Sequence, residues 1–272
     1  MKLPDHLTNE ATITSAEKNE LFSKVPEITL AFWIIKILAT TLGETGGDAV
    51  SMSMNLGYLV STGIFAVIFI IAVMTQVASK KFHPMLYWIT IITTTTVGTT
   101  LADFADRSLG IGYTGGTAVL FTLLMLSLLI WYRTLGSIAM DSVSSAKSET
   151  FYWVTIMFSQ TLGTALGDWM ADTAGLGYGG AAIVFSAMLI LVIVFYYATS
   201  LSRTALFWAA FILTRPLGAV VGDFLDKPAS QGGLALSRYS ASITLLMLIM
   251  LCLFLSSQNA AKRSSLTVNE VD

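Results

Sequence analysis

The stretch TLGTALGDWMAD, Thr161–Asp172, sets two glycines and two carboxylates at the end of an apolar run that begins near Tyr152. Close variants of the phrase occur three more times: TLGETGGDAVSM at 41–52, TVGTTLADFADR at 96–107 and PLGAVVGDFLDK at 216–227. Outward from these phrases the register holds. Trp33, Trp88, Trp153 and Trp208 each follow an aromatic residue (Phe32, Tyr87, Tyr152, Phe207). Ten residues after each tryptophan stands a glycine: Gly43, Gly98, Gly163 and Gly218. Fifteen after stands an aspartate: Asp48, Asp103, Asp168 and Asp223. Twenty-four after stands a second glycine: Gly57, Gly112, Gly177 and Gly232. A fixed register over four copies is the signature of a repeat protein.

Hydrophobic residues make up 54% of the 272 and charged residues only 12%. A soluble domain carries about 25% charge, so the composition reads as an integral membrane protein. Eight apolar runs are long enough to cross a bilayer, near 28–48, 58–78, 85–105, 114–133, 152–171, 179–200, 204–225 and 237–256. The fold class is therefore all-α membrane, with eight transmembrane helices from four tandem two-helix repeats. Two spans per repeat restore the chain direction, so the four copies run parallel. The odd-numbered helices can then gather around an axis along the membrane normal, as in parallel-repeat transporters.

Lys and Arg residues crowd one set of connections and both tails (Lys80, Lys81, Arg133, Lys147, Arg203, Lys24, Lys262), while the other set holds Arg107, Lys227 and Arg238. The positive-inside rule places both termini in the cytoplasm and the aspartates toward the external face. The organisation reads as a tail over 1–24, repeats over 25–80 and 81–133, a linker over 134–149, repeats over 150–202 and 203–256, and a tail over 257–272. The first 24 residues lack the apolar segment of a signal peptide. A single cysteine, Cys252, and only two histidines, His6 and His83, both outside the spans, argue against a disulfide, a soft-metal site or a haem.

The Trp-bearing two-span unit in four tandem copies resembles bacterial four-repeat membrane proteins catalogued as a repeat of unknown function. The likeness covers residues 25–256. It implies a multi-pass protein of the bacterial inner membrane and brings no substrate or catalytic residue with it.

At about 100° per residue, positions seven, eleven and fifteen after the tryptophan share its face. Position seven is Thr40, Thr95, Gln160 and Arg215; position eight adds Thr41, Thr96 and Thr161; position eleven is Glu44, Thr99, Thr164 and Ala219. Lipid is a poor solvent for such a stripe, so the four stripes face one another across a wet cavity or a tight seam. The threonines either line that path or bond back to their own helices. Gly43, Gly98, Gly163 and Gly218, with Gly47, Gly167 and Gly222 four residues later, form small-xxx-small ridges for helix packing. The tryptophans read as interface anchors, and Lys36 as a snorkelling side chain.

The four aspartates either cap helix ends or form a ring of carboxylates at an external vestibule. Asp106, Asp172 and Asp226 make a second, solvated tier. Glu44 and Arg215 break the repeat near mid-membrane, and an ionisable residue there is a functional candidate. They form a fixed bridge or a switchable counter-ion pair. Oxygen donors without Cys or His suit hard divalent cations of the Mn/Mg/Ca type, so the expected function is a cation transporter binding at Glu44, Asp48, Asp103, Asp168 and Asp223. Proton coupling through the carboxylates, and export, are part of that expectation. The alternatives are a carrier of a small organic cation and a non-transporting scaffold or regulatory protein. No nucleophile–base pair, phosphate loop or basic aromatic patch is present, so neither catalysis nor nucleic-acid binding is expected; the partners are lipid and a cation, and no cofactor is implied.

Overall fold

A computed structural model describes residues 22–262. Its eight long helices are α1 (Leu30–Asp48), α2 (Gly57–Ala78), α3 (Pro84–Asp103), α4 (Tyr113–Leu135), α5 (Ala146–Asp168), α6 (Gly177–Ala198), α7 (Arg203–Asp226) and α8 (Arg238–Leu255). Each apolar run of the sequence is one of them. Five, α2, α4, α6, α7 and α8, are long and apolar enough to cross a membrane. The polar stripe of α1, α3 and α5 lowers their hydropathy, and that stripe is buried inside the protein.

The four inner helices form a closed ring: α1 packs on α3, α3 on α5, α5 on α7, and α7 back on α1. Each outer helix packs on the inner helix of the next repeat, α2 on α3, α4 on α5, α6 on α7, and α8 on α1. Within a repeat, the inner and outer helices make little contact with each other. The last outer helix completes the circle on the first inner one. Burial runs opposite to that of a water-soluble domain: threonines, carboxylates and Arg215 fill the centre, while Ile71, Met74, Ile183 and Phe254 stand exposed on the outer helices. So much exposed apolar side chain on one shell fits a lipid surround.

The inner helices meet through sockets with a cyclic order. A Cβ on Gly43 would overlap Thr95, one on Gly163 would overlap Arg215, and one on Gly218 would overlap Thr40. On Gly98 it would stand 3.0 Å from the backbone of Gln160 and Thr161. The glycine at position ten of each repeat thus receives the position-seven residue of the next, and the fourth receives that of the first. Close approach of this kind needs the missing Cβ. Thr40 and Thr95 hydroxyls lie against carbonyl oxygens across these contacts, Thr214 at 3.2 Å and Ala39 at 3.2 Å, as well as against their own helices.

At the aspartate end, α1, α3 and α5 each run into a five-residue π-turn, Ala49–Ser53, Phe104–Ser108 and Trp169–Thr173. The chain then turns into the outer helix through Gly57, Gly112 and Gly177, with φ of 75°, 76° and 64°. Only glycine takes that conformation without strain, which accounts for the second glycine of the repeat.

At the tryptophan end, Phe32, Tyr87, Tyr152 and Phe207 close the axis, with the Tyr87 and Tyr152 hydroxyls 2.6 Å apart. Trp88, Trp153 and Trp208 are buried among them, and Trp33 is half-buried. Packing on the aromatic layer replaces the expected lipid-facing anchorage for those three. Trp208 donates its indole N–H to Ile138 O at 2.9 Å, and Trp88 to Gln258 Oε1 at 3.1 Å. Below them lies an antiparallel pair, β1 (Phe22–Pro26) with β2 (Ala260–Lys262), so the inner ends of the two expected tails join each other. Residues 1–21 and 263–272, the rest of those tails, lie outside the described residues.

Candidate functional site

Three layers of charge and hydroxyl stack along the axis from the middle of the ring to the aspartate end. At the middle of the ring, Arg215 of α7 donates Nη1 and Nη2 to Glu44 Oε2 of α1, each at 3.1 Å. Arg215 also donates to Thr99 Oγ1 at 2.6 Å and to Thr164. Four residues from four different repeats therefore meet at positions seven and eleven, and all four are buried. The sequence leaves a fixed bridge and a switchable pair open; the two charges are paired here.

Lys36 lies one layer below. It is fully buried, its Nζ has no hydrogen-bond partner, and it stands 4.2 Å over the Phe211 ring. The snorkelling expected from its place in α1 does not occur, because its side chain points into the ring and not along the lipid face. Gln160, at position seven like Arg215, has neither amide atom hydrogen-bonded. Thr41, Thr96 and Thr161 bond back to carbonyls of their own helices.

One turn beyond Glu44, all four repeat aspartates are buried, at 0–2% exposure. They do not stand as bare acids. Arg107 reaches Asp103 Oδ1 through Nε and Asp168 Oδ2 through Nη2, both at 3.1 Å. Lys227 reaches Asp48 Oδ2 at 2.7 Å and Asp223 Oδ1 at 3.0 Å. Arg238 lies 2.9 Å from Asp226 and 3.7 Å from Asp48. The ring is thus two acid pairs, each clamped by one cation from position nineteen of repeats two and four; repeats one and three have Met52 and Asp172 there. Burial works against the charge of Lys227, but Asp223, Asp48 and Asp226 outweigh it and hold the ammonium above the ordinary lysine range.

The clamps leave gaps. Both Asp103 oxygens, both Asp223 oxygens and Asp48 Oδ1 are buried without a hydrogen bond. The Arg107–Asp103 and Lys227–Asp223 contacts are therefore close in distance but misaligned. One oxygen each of Glu44, Asp48 and Asp103 lie within 4.8 Å of one another in the α1–α3 seam, and the same holds for Asp48, Asp223 and Asp226. Two oxygens that share an ion at 2.3–2.6 Å stand at most about 5 Å apart, so both triads have the span that a calcium-like ion needs.

Above this layer opens a vestibule of about 900 Å³, lined by Tyr58, Tyr113, Tyr178, Arg107, Lys227 and Arg238 among others. Its Asp172 is exposed, as expected for a second tier, whereas Asp106 and Asp226 are buried. Asp226 is turned inward by Arg238, and Asp106 packs against Gly116.

The tertiary structure brings together Glu44, Arg215, Thr99 and Thr164, and separately the four aspartates. It adds three residues that sequence reasoning placed only in the external charge count: Arg107, Lys227 and Arg238. A signal was present for two of them. Arg107 and Lys227 each stand four residues after a repeat aspartate, one helical turn away.

The family model described as Repeat of Unknown Function (DUF347) matches residues 31–82, 86–137, 151–202 and 206–259. Each match spans one inner and one outer helix, with bounds close to the repeats read from the tryptophan register. No curated protein and no solved structure matches the chain. With four matches that together cover most of its length, the chain belongs to the DUF347 repeat family.

Proposed function

We propose that the protein is a multi-pass transporter of a divalent metal cation, with all eight helices crossing the bacterial inner membrane and both termini in the cytoplasm. The vestibule then opens outward. The binding station is the Glu44–Asp48–Asp103 triad, reached from the vestibule floor.

One observation carries this reading. The ion pairs fall into three sets (Arg215 with Glu44; Arg107 with Asp103 and Asp168; Lys227 and Arg238 with Asp48, Asp223 and Asp226), in which six carboxylates stand against four cations and each of the last two sets keeps one formal negative charge. Uncompensated charge buried away from water is costly. A single divalent ion restores neutrality, and the donors it meets are hard oxygens, with no sulfur or imidazole among them. Protons taken up by the carboxylates as the ion leaves supply the exchange.

The test is metal accumulation in cells that express the wild type, Asp48→Asn or Asp103→Asn, with membrane levels matched by immunoblot. The wild type is expected to change the cellular content of at least one of Mn²⁺, Mg²⁺ and Ca²⁺, and both variants to abolish the change. Wild-type cells that match the empty vector for every divalent ion would sink the reading. A scaffold is the second reading, favoured by the aromatic layer that closes the axis; it requires that the two Asn variants keep any phenotype of the gene.

A further inference from the structure

Both aspartates of the proposed station are already held by a side-chain cation, and the two cations differ in freedom. Lys227 is 8% exposed and its peptide is pinned. Its N–H donates to Asp223 O at 2.8 Å, its carbonyl accepts from Ala235 N at 2.9 Å, and Gly233 packs directly on it. Arg107 is different. Its side chain is 28% exposed, it faces the vestibule, and its backbone lies in the π-turn Phe104–Ser108.

Arg107 also has a second set of partners on the vestibule side. Nε donates to the Tyr113 hydroxyl at 3.1 Å and Nη1 to the Tyr58 hydroxyl at 3.2 Å. The guanidinium carbon stands 5.9 Å from the Tyr58 ring centroid and 6.0 Å from that of Tyr113, within cation–π range. The slot formed by two tyrosines and two buried carboxylates is a cation receptor, and the protein fills it with its own guanidinium. Nε is shared between the misaligned contact to Asp103 and the hydrogen bond to Tyr113. Of the two clamped acid pairs, this is the one whose clamp has somewhere else to go.

We propose that Arg107 is a tethered competitor of the transported cation: it occupies Asp103 while the station is empty and withdraws onto Tyr58 and Tyr113 when an ion takes that carboxylate. The proposal rests on the cation reading above and deepens it. Asp103 is the residue that the station and the clamp have in common. An ion coordinated at 2.0–2.6 Å to Asp103 would lie within a few ångströms of a guanidinium that is itself 3.1 Å from the same oxygen. Like charges that close, with little water between them, repel strongly, so the two do not share the carboxylate. Asp168 and the tyrosines retain Arg107 near the slot, ready to return when the ion leaves. The consequence is selective: a monovalent ion repels the guanidinium less and gains less from the acids, so it displaces Arg107 poorly.

The experiment measures Mn²⁺ affinity of the purified full-length protein in detergent by titration calorimetry, for the wild type and Arg107→Gln. A neighbouring charge within about 4–6 Å shifts proton affinity at a carboxylate by roughly ten- to a thousandfold, so removal of Arg107 is expected to tighten Mn²⁺ by about tenfold or more. Should Arg107→Gln not fold, the wild type alone supplies a second readout. Phenylglyoxal labelling of Arg107, followed by mass spectrometry, is expected to run severalfold faster at saturating Mn²⁺, with Arg133 on the opposite end unchanged as the reference. An affinity in Arg107→Gln equal to or weaker than wild type, or labelling indifferent to bound Mn²⁺, overturns the competitor and leaves the station standing. No Mn²⁺ binding to either protein overturns both. Binding to Arg107→Gln alone supports the competitor in its strongest form.

Discussion

Arg215 and Glu44 stand 171 residues apart in sequence, yet both terminal nitrogens of the arginine lie 3.1 Å from the same glutamate oxygen. This contact ties the fourth repeat to the first. It also fills the middle of the ring, so the axis has a buried polar centre. Breaking one half of a buried ion pair leaves the other charge without compensation, whereas removing both together is often nearly neutral.

Arg215→Met alone is therefore expected to cost about 3–5 kcal/mol, seen as a large fall in the thermal midpoint of the detergent-purified protein. The double variant Glu44→Met/Arg215→Met should recover most of that loss. A double variant as unstable as the sum of the two singles would show that the residues act independently.

The glycine sockets make a sharp contrast. At Gly98 an added methyl would stand 3.0 Å from backbone atoms of Gln160 and Thr161, which cannot swing aside. Gly98→Ala is expected to destabilise by about 1–3 kcal/mol through overpacking. Gly63 on α2 has nothing within 4 Å of the same methyl. Gly63→Ala should be neutral or stabilise by up to about 1 kcal/mol, because alanine is the better helix former. Paired thermal melts of the two variants decide between them.

The latch under the tryptophan end is expected to respond to pH. Glu149 precedes the apolar run of α5 and accepts from Lys24 Nζ of β1 at 3.1 Å. Burial pushes its carboxyl up to about 6, with Lys24 pulling partly the other way. Because the folded protein holds this proton more tightly than the unfolded chain, its contribution to stability is full below about 4.5 and is lost as pH rises through about 6. Glu149→Gln should flatten that part of the stability profile between pH 4.5 and 7. A profile with the same slope in both proteins would assign it to other groups.

Tyr87 and Tyr152 satisfy each other at the closed end, with hydroxyl oxygens 2.6 Å apart and both side chains fully buried. Tyr87→Phe leaves the Tyr152 hydroxyl with no partner of equal quality, and is expected to cost about 1–3 kcal/mol. Restoration of the midpoint by the further change Tyr152→Phe would identify the lost hydrogen bond as the cause; continued loss would point to packing.

Much of the architecture was legible in the residues. The tryptophan register fixes four copies, and two apolar runs in each copy fix an inner and an outer helix. The inner stripes had to face one another, since Thr95, Gln160 and Asp103 have no place in lipid. What periodicity does not reveal is which neighbour each stripe meets. Lys36 and Trp88 show the limit: both have the chemistry of membrane-interface residues, and both are instead buried in the ring.

Sequence alone determined the repeat, the eight helices and the polar stripe of each inner helix, because those follow from local spacing and composition. Only the tertiary structure decided that the ring closes with Gly218 against Thr40, that Arg107 joins Asp103 to Asp168, and that Lys227 joins Asp223 to Asp48. Each of these contacts crosses from one repeat to the next. Their geometry depends on how four nearly equal helices pack around a common axis, and no single repeat contains that information.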